Sequence, residues 1–205
     1  MGNLLHKLAL AAALAFFCVA EAQENSKSLP ISLDADSSSI DRQTNLIHFR
    51  GLRITQGGLR IEADEALATG LDFEQSEWRF TGGVRIVVDS AVLESDRAVF
   101  TFSAHQLATA ELEGNPASFT DQSPDREEPA RGSANKLSYD YAKRILRMSD
   151  NARLSKGPNE IKGCDLIYDF AEERVTSGSS DCGEPFRITI LPPPEGTGTD
   201  SAPNP

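Results

Sequence analysis

From Phe49 to Asp64 the chain alternates apolar and polar residues on both sides of Gly57-Gly58, in the string F-R-G-L-R-I-T-Q-G-G-L-R-I-E-A-D. A period of two is the mark of a strand with one buried face, and a Gly-Gly pair suits a two-residue turn that needs positive φ. The pattern predicts a β-hairpin. Ile54 stands opposite Ile61 and Leu52 opposite Ala63 on an apolar face, and Arg53 pairs with Glu62 on the other. The same layout returns from Gly83 to Asp96 around Asp89-Ser90, where Ile86 faces Leu93, Val84 faces Ser95 and Arg85 faces Glu94. It returns again from Ala152 to Cys164 around Gly157-Pro158, where Leu154 faces Ile161 and the outer pair is Arg153 and Lys162. A weaker copy leads out through Leu112-Glu113-Gly114 and Ala117-Ser118-Phe119 and back through Ala134 to Tyr139. Related units of about 30 to 35 residues indicate a repeat architecture.

Read along its length, the chain predicts a first short strand ending at Leu33-Asp34-Ala35-Asp36 and a turn at Ser37-Ser38-Ser39. Strands follow at Leu46 to Gln56, Leu59 to Thr69, Phe73 to Val88, Ala91 to Phe102 and Leu107 to Thr120. After a loop from Asp121 to Arg131, rich in charge and proline and expected to be exposed, come Gly132 to Tyr141, Ile145 to Lys156, Asn159 to Phe170, Arg174 to Ser177 and Pro185 to Leu191. No segment shows a convincing helical period. β-Branched and aromatic residues fill the apolar slots, and short turns imply antiparallel neighbours.

The termini stand apart from this pattern. His6 and Lys7 precede an apolar run, Leu8 to Ala20, too short for an ordinary bilayer span. Ala20-Glu21-Ala22 fits a small-x-small cleavage site, so residues 1–22 read as a secretory signal peptide, with an uncleaved anchor as the alternative. Residues 23–29 are polar and expected to be flexible, residues 30–191 form the β domain, and the Pro/Gly-rich residues 192–205 are expected to be disordered. The formal charge of −11 survives removal of the leader, which carries Lys7 and Glu21. An acidic chain with no basic cluster speaks against nucleic acid and against simple docking on anionic lipid. Cys164 and Cys182 remain after the leader. In an exported chain such a pair is expected to form a disulfide, worth about 3 kcal/mol for a loop of about 18 residues, with two free thiols as the alternative.

Candidate catalytic chemistry is sparse. His48 and His105 each stand alone on a polar strand face, and no zinc, nucleophile-elbow or P-loop motif is present. Asp64 and Asp96 recur at one repeat position, but Asn135 and Cys164 replace them in the later units. Outward, solubilising residues explain that row better than a cation or acid–base site. Asp34-Ala35-Asp36 is too short for a calcium loop. No cofactor, metal or enzymatic activity is expected. The apolar face is the remaining candidate: Ile47, Phe49, Ile54, Ile61, Trp78, Phe80, Ile86, Leu93, Phe100, Phe102, Leu112, Phe119, Leu137, Tyr139, Met148, Leu154, Ile161 and Tyr168. A closed core and an open apolar groove produce the same alternation, so the pattern leaves both open.

Several strings carry a resemblance to a known family. A-N-K-L-S-Y-D from Ala134, D-N-A-R-L-S-K-G-P-N-E-I-K-G-C-D-L-I-Y-D from Asp150, E-G-N-P-A-S-F-T-D-Q from Glu113 and P-I-S-L-D-A-D at Pro30 resemble the OstA-type repeat of the LptA family. Together they span about Leu29 to Leu191. The chain departs from the pattern at Asp150, where Gly is usual, at Cys164, which interrupts a G-D junction, and at the Gly157-Pro158 hairpin. The resemblance implies an all-β fold, an open V-shaped antiparallel β-jelly roll. It also implies a periplasmic carrier or bridge that moves lipopolysaccharide from the inner to the outer membrane. The partners so implied are lipid A acyl chains, an LptC-like inner-membrane protein and an LptD-like outer-membrane protein joined by edge-strand pairing, and further copies of the chain stacked head to tail. The apolar residues named above become the expected lipid contacts. Alternatives are a membrane-anchored LptC-like component, a carbohydrate-active enzyme on a β-solenoid, and a structural repeat protein with a dry core.

Overall fold

A computed structural model of the chain describes residues 29–123, 128–177 and 185–191. The expected leader, residues 23–28, Cys182 and the 192–205 tail lie outside the described residues. Among the described residues twelve strands form one sheet: β1 (Ser32–Asp34), β2 (Ser37–Asp41), β3 (Leu46–Gln56), β4 (Leu59–Ala68), β5 (Gln75–Val88), β6 (Ala91–Ser103), β7 (Gln106–Asp121), β8 (Ala130–Asp140), β9 (Ile145–Lys156), β10 (Asn159–Asp169), β11 (Arg174–Ser177) and β12 (Arg187–Thr189).

Strands β3 to β10 follow one another in sequence order, each antiparallel to the next. Turns holding residues at positive φ, Gly57, Asp89, Ala104-His105, Arg144 and Gly157, allow this meander. Each expected register is present: Ile54 opposite Ile61, Arg53 opposite Glu62, Arg85 opposite Glu94, Ile86 opposite Leu93 and Leu154 opposite Ile161. Among the described residues no strand pairing joins the two ends of the sheet. Short strands split the edge at each end, with β1 and β2 on β3, and β11 and β12 on β10. The architecture is all-β, antiparallel and open, as an open β-jelly roll requires.

A slip in the middle of each long strand shapes the molecule. Inward residues change parity along β3 from Ile47 and Phe49 to Leu52 and Ile54, and along β4 from Ile61 and Ala63 to Ala66 and Ala68. The ladder registers shift at the same level, between Glu62 and Glu65, Thr81 and Val84, Glu94 and Arg97, Glu113 and Ala117, Ser133 and Lys136, and Gly163 and Asp165. An extra residue in one strand bends it and resets which side chains point inward. In β5 and β9 two consecutive positive-φ residues, Gly82-Gly83 and Asp150-Asn151, do the same. Aligned across the sheet, these bulges form a crease. The sheet folds over it into two layers, each built from half of every long strand. The first layer holds residues 46–50, 65–68, 75–81, 97–103, 106–113, 136–140, 145–149 and 165–169. The second holds the other halves.

Three sequence-based expectations are corrected. Ser37 to Ser39 is not a turn, because these residues pair with His48 to Arg50 as part of β2. His105 leaves its strand and sits at positive φ in the β6–β7 turn. Asp121, expected in an exposed loop, is the last residue of β7 and is fully buried, and Ala130 at the far side of that loop is buried too.

Candidate functional site

The recurring position occupied by Asp64, Asp96, Asn135 and Cys164 lies at the register shifts of β4, β6, β8 and β10, opposite the extra residues that β5, β7 and β9 carry there. The repeat therefore marks the crease. Asp64 lies over Gly82 and Gly83, and Asp36 over Gly51, so closely that a Cβ on Gly51 or Gly82 would run into the carboxylate. Cys164 is disulfide-bonded, whereas its expected partner Cys182 lies outside the described residues. Among the described residues no group of three or more His, Cys, Asp or Glu is arranged to hold a metal ion. A polar depression of about 430 Å³ lies along this outer surface between Asp34, Asp36, Arg53, Glu62 and Asp64. It is larger than the apolar cavity described below, but its lining is mainly charged and polar and gives an apolar ligand little shelter.

Inside the fold, the expected apolar row does come together. All of its members except Ile161 are buried, and Ile161 is partly buried and packs against them. Small residues make room for large ones. On β4, Ala66 and Ala68 stand between Phe49 of β3 and Phe80 and Trp78 of β5, so Phe49 and Trp78 stack with centroids 5.6 Å apart. Phe73, which the chain places at positive φ before β5, stacks on Trp78 at 5.0 Å and meets Phe102 edge-on at 4.9 Å. A second aromatic group joins Phe119 to Tyr168 and Phe170, and Phe170 to Tyr139. Phe119 belongs to the second layer and Tyr139 and Tyr168 to the first, so this group fills the space between the layers. Gly132 and Met148 meet across the same space: a Cβ on Gly132 would strike the Phe119 ring and the Met148 sulfur. Burial pushes the Tyr139 phenol well above the usual tyrosine range, and burial raises Tyr141 as well.

The interior reaches solvent at the β10 end. A cavity of about 310 Å³ opens there, lined by Ala130, Leu154, Ile161, Tyr168 and Val175, with Glu128, Lys156, Asn159 and Glu173 at its rim. Its apolar wall and charged rim are the surroundings that an amphiphile's chain and polar head require. Beside it β12 presents Ile188, paired with Ile161, and its neighbours Phe186 and Ile190 are also exposed.

Opposite the crease, the turns of the two layers meet along a seam. Tyr168 Oη donates to Asp121 Oδ2 at 3.3 Å, while Ser90 Oγ donates to Asp121 Oδ1 at 2.7 Å. Gln56 Nε2 donates to the His105 carbonyl at 2.8 Å. Arg144 lies 3.6 Å from Asp89, and Lys156 lies 3.8 Å from Glu173. Asp121 is the one buried carboxylate among the described residues.

The alternation marked most of the interior but missed Phe73, Leu146, Leu166 and Phe170, which are buried with the rest. It also missed Asp121, which composition assigned to a loop. The parity change along each strand was the available signal for the crease.

The family model described as "LptA/(LptD N-terminal domain) LPS transport protein" matches residues 65–174. The "Lipopolysaccharide export system protein LptA" of Haemophilus influenzae is 31% identical over 126 residues, covering 60% of this chain and 72% of that protein. The protein of the same name from Escherichia coli strain K12 is 27% identical over 164 residues, covering 80% and 71%. The crystal structure of LptH, an LptA-homologous periplasmic component of the lipopolysaccharide transport device of Pseudomonas aeruginosa, superposes with a TM-score of 0.52. It covers 82% of this chain and 99% of its own at 16% identity, a likeness of fold. The crease, the layered apolar interior and these matches agree: the chain belongs to the LptA/LptD N-terminal-domain family of lipopolysaccharide transport proteins.

Proposed function

We propose that this protein binds lipopolysaccharide in the periplasm and carries it from the inner toward the outer membrane, holding the acyl chains between its two layers. The observation that carries this reading is the continuous apolar interior, which opens at the β10 end in a cavity with a charged rim. The names of the related proteins support it. A fully sheltered acyl chain of about 12 carbons gains up to about 10 kcal/mol gross, at roughly 0.8 kcal/mol per methylene. Complete enclosure of several chains would hold the lipid too tightly for handover, so partial shelter suits a carrier.

The split edges at β3 and β10 support a second part of the reading. Short terminal strands leave backbone groups for another chain's strand to pair with, and such addition would join the protein to LptC-like and LptD-like partners or to further copies of itself. The test is lipid extraction and mass spectrometry on protein purified from its native envelope. Lipopolysaccharide enriched over bulk phospholipid is expected. Protein that carries no lipopolysaccharide, or phospholipid in envelope proportions, would overturn the reading.

A further inference from the structure

Pairing across the second layer lines up one row of outer-face residues from edge to edge. It starts with Asp34, Arg53, Glu62, Arg85 and Glu94 on β1, β3, β4, β5 and β6, and each neighbour carries the opposite charge. Ser118 and Ser133 continue it through β7 and β8. It ends on β9, β10 and β12 with Arg153, Lys162 and Arg187. Opposite charges facing each other across strands are favourable, and like charges are not. A well-matched row therefore finishes in three cations. Glu160 lies 4.0 Å from Arg153 and 2.7 Å from Lys162, and among the described residues no ion pair includes Arg187.

The last strand is loosely held in other respects. β12 pairs over three residues, Arg187 to Thr189, and is bracketed in sequence by Pro185 and Pro192, which bring no N–H. Phe186, Ile188, Ile190 and Leu191 are four of the seven large apolar residues exposed among the described residues, so docking β12 hides little apolar surface. Segments with few buried apolar contacts open at the low end of a protein's local stabilities. The β10 edge beneath is a better template, with Ile161 of the cavity wall between the charged Glu160 and Lys162.

Resting on the edge-pairing part of the reading above, we propose that β12 is an exchangeable cap. It covers the outer edge of β10 in the free protein and gives way to an extended, antiparallel strand of another protein. That strand sets an acidic residue against Lys162, where Arg187 now stands, and an apolar one against Ile161, where Ile188 now stands. A second copy continuing the sheet does not suit the vacated place. β1 is antiparallel to β3, and seven antiparallel steps separate β3 from β10, so β1 runs in the direction of β10. A stacked copy meets this end in antiparallel register only while β12 stays in place.

The test uses the full mature chain with the Cys164 disulfide intact. The probe is a labelled synthetic peptide copying residues 185–191 with Arg187→Glu, on a soluble linker, and fluorescence anisotropy reads its binding. Ile188→Pro unpairs the cap without shortening the chain, and far-UV circular dichroism confirms that each variant is folded. The wild-type affinity is scaled down by the fraction of molecules whose cap is open, so Ile188→Pro is expected to bind the peptide about tenfold more tightly. Arg187→Glu in the protein sets an acid against Lys162, tightens the cap and is expected to weaken peptide binding about threefold. On Ile188→Pro protein the acidic peptide is expected to bind about threefold better than the peptide with native Arg187, and adding Lys162→Glu to reverse that order. Equal binding by wild type, Ile188→Pro and Arg187→Glu overturns the cap, while strand pairing at this edge stands. A peptide preference that ignores Lys162→Glu overturns the docking position. Absence of binding to Ile188→Pro protein overturns strand addition at β10 and the cap with it, whereas failure of lipid carriage is read separately by the lipid extraction.

Discussion

The Tyr168 hydroxyl, carried by the first layer, donates across 3.3 Å to Asp121 of the second, and Asp121 is fully buried. The carboxylate also accepts from Ser90 Oγ at 2.7 Å and from the Ser123 amide at 3.3 Å. Removing it strands one buried donor, Tyr168, and two half-buried ones, at roughly 1–3 kcal/mol for a fully buried unsatisfied group and less for the others. Asp121→Ala is therefore expected to lower the unfolding free energy by about 2–4 kcal/mol, and Tyr168→Phe by about 1 kcal/mol, in urea titration. Equal stability for Asp121→Ala and wild type would show that the contact does not hold the layers.

Gly132 has no room for a side chain, because the Phe119 ring and the Met148 sulfur occupy the place of its Cβ. Gly132→Ala is expected to cost about 1–3 kcal/mol by overpacking. Shrinking a neighbour, in Gly132→Ala with Met148→Ala, should recover part of the overpacking cost in a double-mutant cycle. Strict additivity of the two changes would contradict the contact between layers.

Arg53 and Glu62 pair at 2.7 Å on the outer face, directly opposite in register. Exposed pairs contribute little, so a double-mutant cycle on them is expected to give a coupling of about 0.2–1 kcal/mol that shrinks as salt is raised. A coupling above about 2 kcal/mol would mean that this face is less solvated than the structure shows.

Burial raises the Tyr139 phenol above its ordinary value of 10.0. Above about pH 10 the unfolded chain releases this proton while the folded chain keeps it. The stability from this group is whole below about pH 10 and is lost as the pH climbs toward the folded value, at up to about 1.4 kcal/mol per pH unit. Tyr139→Phe is expected to flatten the fall in stability between about pH 10 and 11, measured by denaturant titration. An unchanged slope would place the phenol in water.

The hairpins were legible because their two signals coincide. Gly57-Gly58 fixes the turn, and one register then puts Ile54 on Ile61 and Arg53 on Glu62 together. The interior was legible for the same reason, since nearly every alternating apolar residue named from the chain is buried. The crease was visible only as a change of parity, which a search for simple alternation passes over. Asp64 and Asp96 looked like a row of outward carboxylates, and it is the bulges beneath them that explain their spacing. Asp121 was hidden because a charged residue before a proline-rich loop reads as solvent-facing. Its burial depends on Tyr168, which is 47 residues away in sequence and meets it only when the layers close. Alternation alone places Phe73 at the start of a strand, whereas it sits at positive φ in the turn before β5 with its ring on Trp78.

The central claim is that lipopolysaccharide lies between the layers and not on the outer face. A photo-reactive phenylalanine analogue placed singly at Phe102, Tyr139 or Ile161, and at Arg53 or Glu94 as outer-face controls, tests it directly when the protein is irradiated with bound lipopolysaccharide. The account predicts lipid adducts from the inner positions, strongest at the partly buried Ile161 beside the open cavity, and none above background from Arg53 or Glu94. Equal labelling from both faces, or labelling from the outer face alone, would contradict it.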